Sequence, residues 1–344
     1  MNVNIIGGSF WVVPFAWQLQ LMHNNVRWIR TAYHNINIVP NGNKEVDADI
    51  VIVNDPSFAS LSDYLNDNNK VVFGYNLLCS KLRDPAFRQS AGNTYQIPFS
   101  SDQTSPTDFT LTGLFDGEKF LSPVFLSLSL ERIGHNDTGP NFGCTGIAVK
   151  AIKTVQVVKN TLFRFSPFLK TIKFRGFIHI DCIVVEAETP TVLIKDADFR
   201  FDLPIMFVIT SMISNPSIIL LLRSLWSKPI TYIDCDKAWN IAIPIFTITD
   251  KPLRSVLKSY PKDIYPVNVS FRINEEDQPE YIIHETGPAF IAIGRNAIIK
   301  AAAHIAGNKL RTHVRIEDRQ GFYRSDVAES LFKKLYKLKR LNIV

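Results

Sequence analysis

The chain has 344 residues, of which 46% are hydrophobic and 20% are charged. This composition excludes a disordered polymer, a collagen-like repeat and a small disulfide-stapled domain, and the length is typical of two or three domains. Ten basic and four acidic residues between Gly307 and Val344 account for the whole net charge of +6. The sequence therefore predicts a local basic face at the C-terminal end, with a merely solvated last helix as the alternative.

The four cysteines are widely spaced and form no C-x-x-C pair: Cys79, Cys144, Cys182 and Cys235. Since the N-terminus also lacks the features of a signal peptide, we expect reduced thiols and a cytoplasmic protein. Residues 203–222 carry no charge, but Asn215-Pro216 interrupts them. We expect two buried helices there rather than a membrane span, and no membrane partner.

Residues 1–90 are predicted to form a small Rossmann-like domain. Residues 2–8 predict a strand that ends in the glycine turn Gly7-Gly8, and residues 14–22 have the apolar spacing of a helix. Short apolar runs at 49–53 and 70–73 predict two further strands. Strands separated by helix-compatible segments are typical of a parallel sheet.

Residues 91–108 have the polar, proline-containing composition of a linker. In the core that follows, 109–260, Asp116-Gly117 lies between two apolar runs and predicts a hairpin, and residues 174–186 and 191–195 predict a strand pair. Residues 261–344 are predicted to form a β-rich C-terminal domain that ends in a basic helix. The predicted fold class is thus α/β and α+β, with the parallel sheet confined to the N-terminal domain.

The segment 135–146 is the most informative part of the chain. It reads HNDTGPNFGCTG and surrounds an aspartate and an asparagine with three glycines and a proline, which is typical of a loop whose backbone lies close to a ligand. The segment closely resembles the DTGPNTGGMG loop of glycinamide ribonucleotide synthetase, the phosphoribosylamine-glycine ligase of purine biosynthesis, which has an ATP-grasp fold. The resemblance implies that 109–260 is a truncated ATP-grasp-like core.

Weaker matches to the same family follow in the same order along the chain. Residues 5–8 and 15–19 resemble the family's VLVIGxGGREHALAWKL, residues 116–118 resemble its MVDGEH strand, and residues 321–327 resemble its closing xYRxDIG. Their collinear order, rather than any one of them, supports the resemblance.

The resemblance implies a site in which the Gly-rich segment 135–146 lies beside the substrates. It implies catalytic roles for Asp137 and Asn141, and His135, which borders the segment, is the histidine that we select as an acid or base. A phosphate on the acceptor would meet backbone N–H groups at the glycine turn. The implied substrate-binding set is Gly7, Gly8, Thr138, Gly139, Pro140, Gly143, Gly146 and Arg200.

Departures from the family bear on the cofactors and the acceptor. Only some twenty residues, 89–108, stand where the family has the lid that covers ATP, and a βαβ unit alone needs roughly 30 residues, so no ATP clamp is expected. Asp196 and Asp198 stand near the family's Mg²⁺ ligands and alternate along one strand face, where they could hold Mg²⁺; an exposed charged turn is the alternative. The family's REH after the paired glycines is missing, which argues against phosphoribosylamine itself.

Three functions stay open. The first is a divergent transferase that joins glycine or a similar amino acid to an amine or to a pre-activated, phosphorylated acceptor. One such acceptor is a phosphorylated base in nucleic acid, whose backbone residues 307–344 would contact. The second is a conventional phosphoribosylamine-glycine ligase-like enzyme with an altered ATP and Mg²⁺ site. The third is a non-catalytic binding relative.

Overall fold

The computed structural model describes the chain except for residues 8, 10, 23, 30–47, 56–70, 75–106, 186–190, 202, 214–217, 228–229, 231, 258–261, 274–278 and 318–320. The predicted linker lies almost wholly outside this part. The chain divides into two units: unit 1 contains Met1–Leu126, Ala151–Asp236 and Leu341–Val344, and unit 2 contains Ser127–Lys150 and Lys237–Arg340. Each unit is made of stretches that are separate in the sequence. The domain boundaries predicted from the sequence stay predictions.

Unit 1 begins with a four-stranded sheet. Its strands are β1 (Asn2–Ile6), β2 (Asn25–Ile29), β3 (Ile50–Val53) and β4 (Val71–Gly74), which pair in the order β2-β1-β3-β4 and are all parallel. All four residues of β3 are buried, as expected for a strand covered on both faces. Helix α1 (Val12–Leu21) follows β1. The predicted parallel sheet is confirmed.

Five strands come next in the chain: β5 (Asp108–Phe115), β6 (Val124–Gly134), β7 (Thr138–Ile152), β8 (Gly176–Val185) and β9 (Thr191–Asp198). In unit 1, β8 pairs antiparallel with β5 on one side and with β9 on the other, which confirms the predicted strand pair. The turn after β5 is also as predicted, because Asp116 Oδ1 accepts the N–H groups of Glu118 and Lys119 at 2.9 and 2.8 Å.

The other elements that the structure describes in unit 1 are helical: α2 (Gln156–Asn160), a 3₁₀ helix (Leu162–Phe165), α3 (Ser166–Thr171), α4 (Pro204–Met212) and α5 (Ile218–Ser227). Helices α4 and α5 are the two predicted from residues 203–222. No helix in the described ranges is long and apolar enough to cross a membrane. The core of the unit is aromatic, since the Phe201 ring lies 5.9, 6.2 and 5.9 Å from the rings of Phe15, Phe73 and Phe177.

Unit 2 is built on antiparallel sheets and two long helices. Its later elements are β10 (Trp239–Thr247), β11 (Leu253–Leu257), β12 (Ile264–Pro266), β13 (Val269–Ile273), β14 (Pro279–Ile283), β15 (Gly287–Asn296), α6 (Ile299–His313), β16 (Val314–Ile316), β17 (Gly321–Phe322) and α7 (Val327–Arg340). Strands β12, β15, β10 and β7 pair in that order, and β13, β14, β11 and β16 form a second sheet. The predicted fold class, α/β with α+β, is confirmed.

Helix α6 packs directly on the backbone of β15 at Gly294. A Cβ at this position would stand 2.0 Å from Ala302 O and 2.6 Å from Ala306 N. Distances this short are not reached by real side chains, so glycine is the residue that permits the contact.

We therefore expect Gly294→Ala to lower the free energy of unfolding by about 2 kcal/mol or more, because strand and helix must separate. Urea unfolding monitored by circular dichroism measures the change. Gly307→Ala, within α6, is the matched control: its Cβ would lie 3.4 Å from the Tyr323 ring, an ordinary contact, and alanine favours a helix by about 1 kcal/mol. Equal stability of the two variants would contradict the contact.

Candidate functional site

The glycine turn lies at the carboxyl end of the parallel sheet in unit 1. Gly7 has a φ of +69°, and a Cβ there would stand 2.5 Å from Asp55 Cβ, so both the backbone conformation and the close approach require glycine. Beside it, Asn54 accepts the N–H of Phe201 at Oδ1 over 2.7 Å. Gly8 lies outside the described residues. This edge of a parallel sheet is where α/β proteins bind ligands, so Gly7 is well placed for its predicted contact.

Strands β8 and β9 carry a row of polar residues on one face. Their antiparallel register sets His179 opposite Asp198 and Asp181 opposite Asp196. Opposite residues of an antiparallel pair point to the same face of the sheet. Asp196 and Asp198 of β9, the two predicted metal ligands, thus share this face of the sheet with Asp181 and His179 of β8.

His179 is fixed in one protonation state. Its side chain is buried, with Nδ1 at 2.8 Å from Thr112 Oγ and Nε2 at 3.1 Å from Arg200 O. A carbonyl oxygen only accepts, so Nε2 carries the proton and Nδ1 accepts the threonine hydroxyl. Burial lowers the pKa of His179 to about 4, and the imidazole is therefore neutral at pH 7 and holds the chain at Arg200.

Asp181 has a raised pKa for an aspartate. Burial raises its pKa to about 6; the charges of Asp196 and Asp198 also raise it, while the hydrogen bond from Thr110 opposes them. That hydroxyl donates to Asp181 Oδ1 over 2.6 Å. A carboxylate that titrates near pH 6 is suited to accept a proton in a reaction near neutral pH.

Arg200 pairs with Asp198. Its Nε and Nη2 lie 2.9 and 2.8 Å from Asp198 Oδ2, and the N–H groups of Phe199 and Arg200 donate to Asp198 Oδ1 at 2.7 and 3.1 Å. The arginine side chain is 30% exposed and the aspartate 10%. A residue that we predicted to bind substrate and one that we predicted to bind metal are thus held together.

This arrangement does not fit a magnesium ion. Mg²⁺ requires several oxygen ligands in near-octahedral geometry, whereas both carboxylate oxygens of Asp198 are engaged by Arg200 and by backbone N–H groups. Throughout the described chain, no group of three or more His, Cys, Asp or Glu side chains has the geometry to hold a metal.

The Gly-rich segment 135–146 belongs to unit 2 and forms a hairpin rather than the loop predicted from its composition. Strand β6 ends at Gly134 and β7 begins at Thr138, so most of the segment is strand. The turn between them places Asn136 and Asp137 at φ of 55° and 60°. Asparagine and aspartate tolerate this left-handed conformation better than other side chains do, which allows the three-residue turn 135–137 to reverse the chain.

Asp137 is anchored by a buried arginine. The Arg324 side chain is 2% exposed; its Nη1 lies 2.9 Å from Asp137 Oδ1 and its Nη2 lies 2.7 Å from Asp326 Oδ2. Asp326 also accepts the Ser330 hydroxyl at 2.6 Å and the Asn136 N–H at 2.9 Å. Burial alone would raise the pKa of Asp326, but these hydrogen bonds outweigh it and hold the pKa well below its ordinary value.

The other polar side chains of the hairpin also bond locally. Thr138 Oγ donates to His135 O at 2.8 Å, and Asn141 Oδ1 accepts the Gly143 N–H at 2.7 Å. Gly139 and Gly143 have φ of +80° and +78°. These bonds show a structural use for the segment, while the catalytic roles implied for His135, Asp137 and Asn141 stay predictions.

Residues of the segment differ in exposure. Pro140 is exposed, whereas Cys144 is buried, which raises the pKa of its thiol to about 12. A Cβ on Gly146 would stand 2.9 Å from the side chain of Val327. Gly146 thus permits close packing on the first residue of α7, and its predicted substrate contact stays untested.

Sequence reasoning missed Asp181, Arg324 and Asp326. Asp181 alternates with His179 in the otherwise apolar β8, a period-two polar signal that could have identified it. Arg324 and Asp326 lie in the segment that resembles the family's xYRxDIG, to which we gave no role. Their partner Asp137 lies 187 positions earlier in the chain, a distance that no local pattern spans.

The structure is similar to several solved enzymes. A phosphoribosylamine-glycine ligase from Thermotoga maritima matches with a TM-score of 0.69 and 12% identity over 95% of this chain and 100% of that one. N5-carboxyaminoimidazole ribonucleotide synthetase from the same organism matches at 0.54 and 8%, covering 92% and 99%. The biotin carboxylase subunit of a pyruvate carboxylase matches at 0.61 and 9%, covering 99% and 98%. No family model and no curated protein sequence matches the chain.

These similarities confirm the ATP-grasp-like fold that the sequence resemblance implied. A fold of this kind supports many chemistries, so the activity depends on the residues of the site.

We expect Arg324→Met to lower the free energy of unfolding at pH 7 by about 3–5 kcal/mol, because it leaves the buried Asp326 and the partly buried Asp137 without their cation. Chemical denaturation measures the change. Arg340→Met, at the exposed end of α7, is the matched control and should change stability by less than about 0.5 kcal/mol.

The same network predicts a dependence on pH. Since the pKa of Asp326 is lowered in the folded protein, its contribution is complete above pH 4 and is lost as the pH falls further. Asp326→Asn should therefore flatten the loss of stability below pH 4, and a variant as acid-sensitive as the wild type would contradict the assignment.

Proposed function

We propose that this chain forms a carbon–nitrogen bond by transferring glycine, or a similar amino acid, to a pre-activated, phosphorylated acceptor without an ATP clamp. The observation that carries this function is the position of Asp181 opposite Asp196 on the polar face of β8 and β9, where burial and the neighbouring charge raise its pKa to about 6. Two facts support it: the fold is that of an enzyme named for joining phosphoribosylamine and glycine, and the twenty residues 89–108 are too few for the lid over ATP.

The glycine turn is assigned to the phosphate of the acceptor. Gly7 lies between β1 and α1, and backbone N–H groups ahead of a helix bind phosphate. Asn54, next to it, is 2% exposed, and its Nδ2 has no hydrogen-bond partner among the described residues. A buried donor without a partner costs about 1–3 kcal/mol, so a phosphate oxygen that accepts from Asn54 would stabilise the bound state.

In the proposed step, the amino nitrogen of glycine attacks the acceptor carbon that carries the phosphate. The carbon–nitrogen bond forms, the carbon–oxygen bond breaks, and phosphate leaves with the electron pair of that bond. Asp181 takes the proton that the nitrogen releases, because its pKa lies near the operating pH. Arg200, which pairs with Asp198 on the same pair of strands, is assigned to the carboxylate of the amino acid.

A non-catalytic binding relative is the second candidate. The observation that favours it is the structural use of the Gly-rich hairpin, where Asp137 pairs with Arg324 and Asn141 accepts the N–H of Gly143. Such a protein would bind the acceptor and release no phosphate. An ATP- and Mg²⁺-dependent ligase, which the resemblance also implies, would bind nucleotide in a calorimetric titration.

We expect the full chain to convert a phosphorylated hydroxymethyl-pyrimidine, free or within an oligonucleotide, into an adduct with ¹³C-labelled glycine in the absence of ATP. Mass spectrometry detects the adduct, and one phosphate should be released for each. Asp181→Asn should slow the reaction by about 10²–10⁴-fold, the usual contribution of a general base, while Asp250→Asn, an exposed carboxylate of unit 2, should leave the rate unchanged. An adduct that forms only with ATP favours the ligase, and no adduct with any acceptor rejects the transfer.

Asp181→Asn should also make the protein more stable. The pKa of Asp181 is raised from 3.8 to about 6 in the folded state, so the wild type loses stability as the pH rises from about 4 to 6. Removing the charge should raise the free energy of unfolding by about 1–3 kcal/mol above pH 7 and leave it unchanged at pH 4. Thermal unfolding across this pH range measures the difference. A variant that is equally or less stable than the wild type at pH 8 would show that the charged carboxylate does not destabilise the folded protein.

A further inference from the structure

Helix α7 presents a face that combines aromatic and basic side chains. Its opposite face is buried through Val327, Ala328, Ser330, Leu331, Leu335 and Leu338. The basic aromatic face consists of Phe332, Lys333, Tyr336, Lys339 and Arg340, all of them exposed. Residues three, four and seven positions apart share one side of a helix, so these five side chains form a continuous surface.

The two aromatic rings are exposed to an unusual degree. Phe332 is 38% and Tyr336 60% exposed, although aromatic side chains gain most from leaving water. Their planes differ by 27° and their centroids lie 6.4 Å apart, so both rings present similarly oriented faces. Two neighbouring aromatic faces on a helix surface are suited to stack on flat ligands.

The charge around the rings is positive. Glu329, the acidic residue on this side of α7, is paired with Lys300 at 2.7 Å. The same lysine lies 4.5 Å from the centroid of the Phe332 ring. The face therefore keeps the positive charge of Lys333, Lys339 and Arg340.

Other basic residues of the C-terminal segment are used inside unit 2. Arg324 is buried between Asp137 and Asp326, and Lys309 is paired with Asp263 at 2.9 Å. Among the described residues of the segment, Arg311 and Arg315 are also exposed, while Lys333, Lys339 and Arg340 are the exposed cations on the same helix face as the aromatic rings.

We propose that the basic aromatic face of α7 binds single-stranded nucleic acid. Bases stack on Phe332 and Tyr336, and phosphates pair with Lys333, Lys339 and Arg340. Aromatic side chains beside cations are how proteins bind single strands without reading their sequence. The biological meaning of this surface rests on the proposed transfer to a nucleic-acid acceptor, but binding can be measured without any transfer.

The experiment uses a fluorescein-labelled 12-nucleotide single-stranded DNA and the full chain, with fluorescence anisotropy as the readout. The double variant Phe332→Ala with Tyr336→Ala should bind at least about tenfold more weakly, since stacking on each base is worth a factor of roughly 5 to 150. Lys333→Ala should lower the slope of log affinity against log salt by about 0.7, the value for one phosphate on a single strand. Tyr232→Ala, an exposed tyrosine of unit 1 at 49%, is the control and should bind as the wild type does.

Three results would contradict the proposal that this face binds single-stranded nucleic acid. One is equally tight binding of a strand that lacks bases, because the protein would then bind the phosphates by charge and not the bases by stacking. Another is undiminished binding by the double aromatic variant when circular dichroism shows it folded. A third is binding to vesicles of anionic lipid with none to DNA. Tight binding of DNA without adduct formation would support the surface while rejecting the transfer, so the two proposals fail separately.

Discussion

The alignment of β5, β8 and β9 is the constraint on which the site in unit 1 depends. Buried residues set the register of β8 and β9, since Cys182 and Ile194 lie opposite each other in the interior. Between that pair and Asp181 the register shifts by one residue, so that Lys195 is the extra residue of a β-bulge. Only with this shift does Asp196 lie across from Asp181, and only then do their charges act on one another.

Local patterns predicted much of the fold, while pairing across the chain did not follow from them. The alternation of Asp196 and Asp198 identified one face of β9, and Asp-Gly at 116–117 identified a turn, because both signals lie within a few residues. Asp181 was missed since a strand pattern shows which residues share a face and not which strand lies opposite. The composition of the Gly-rich segment predicts a loop, and the hairpin does not follow from composition because its anchor, Arg324, comes from the far end of the chain.

The net charge of the C-terminal segment is a second property that needs the structure, because the composition does not show which cations form ion pairs. The net +6 of the C-terminal segment counts Arg324 and Lys309 equally with Lys339 and Arg340. In unit 2 the first two neutralise buried carboxylates and contribute to stability. The second two remain at the exposed end of α7, where a partner can reach them. A formal charge thus indicates a surface only after the ion pairs of the interior are known.

The proposed reaction depends on the register of β8 and β9, which makes Asp181 a proton acceptor near neutral pH. Its pKa can be measured directly by ¹³C NMR of the aspartate carboxyl carbons, with Asp181→Asn used to assign the resonance. A pKa of about 6 is expected in the wild type, and a lower one in Asp196→Asn, where one neighbouring charge is gone. An ordinary pKa near 4 in the wild type, or one that Asp196→Asn leaves unchanged, would contradict the claim.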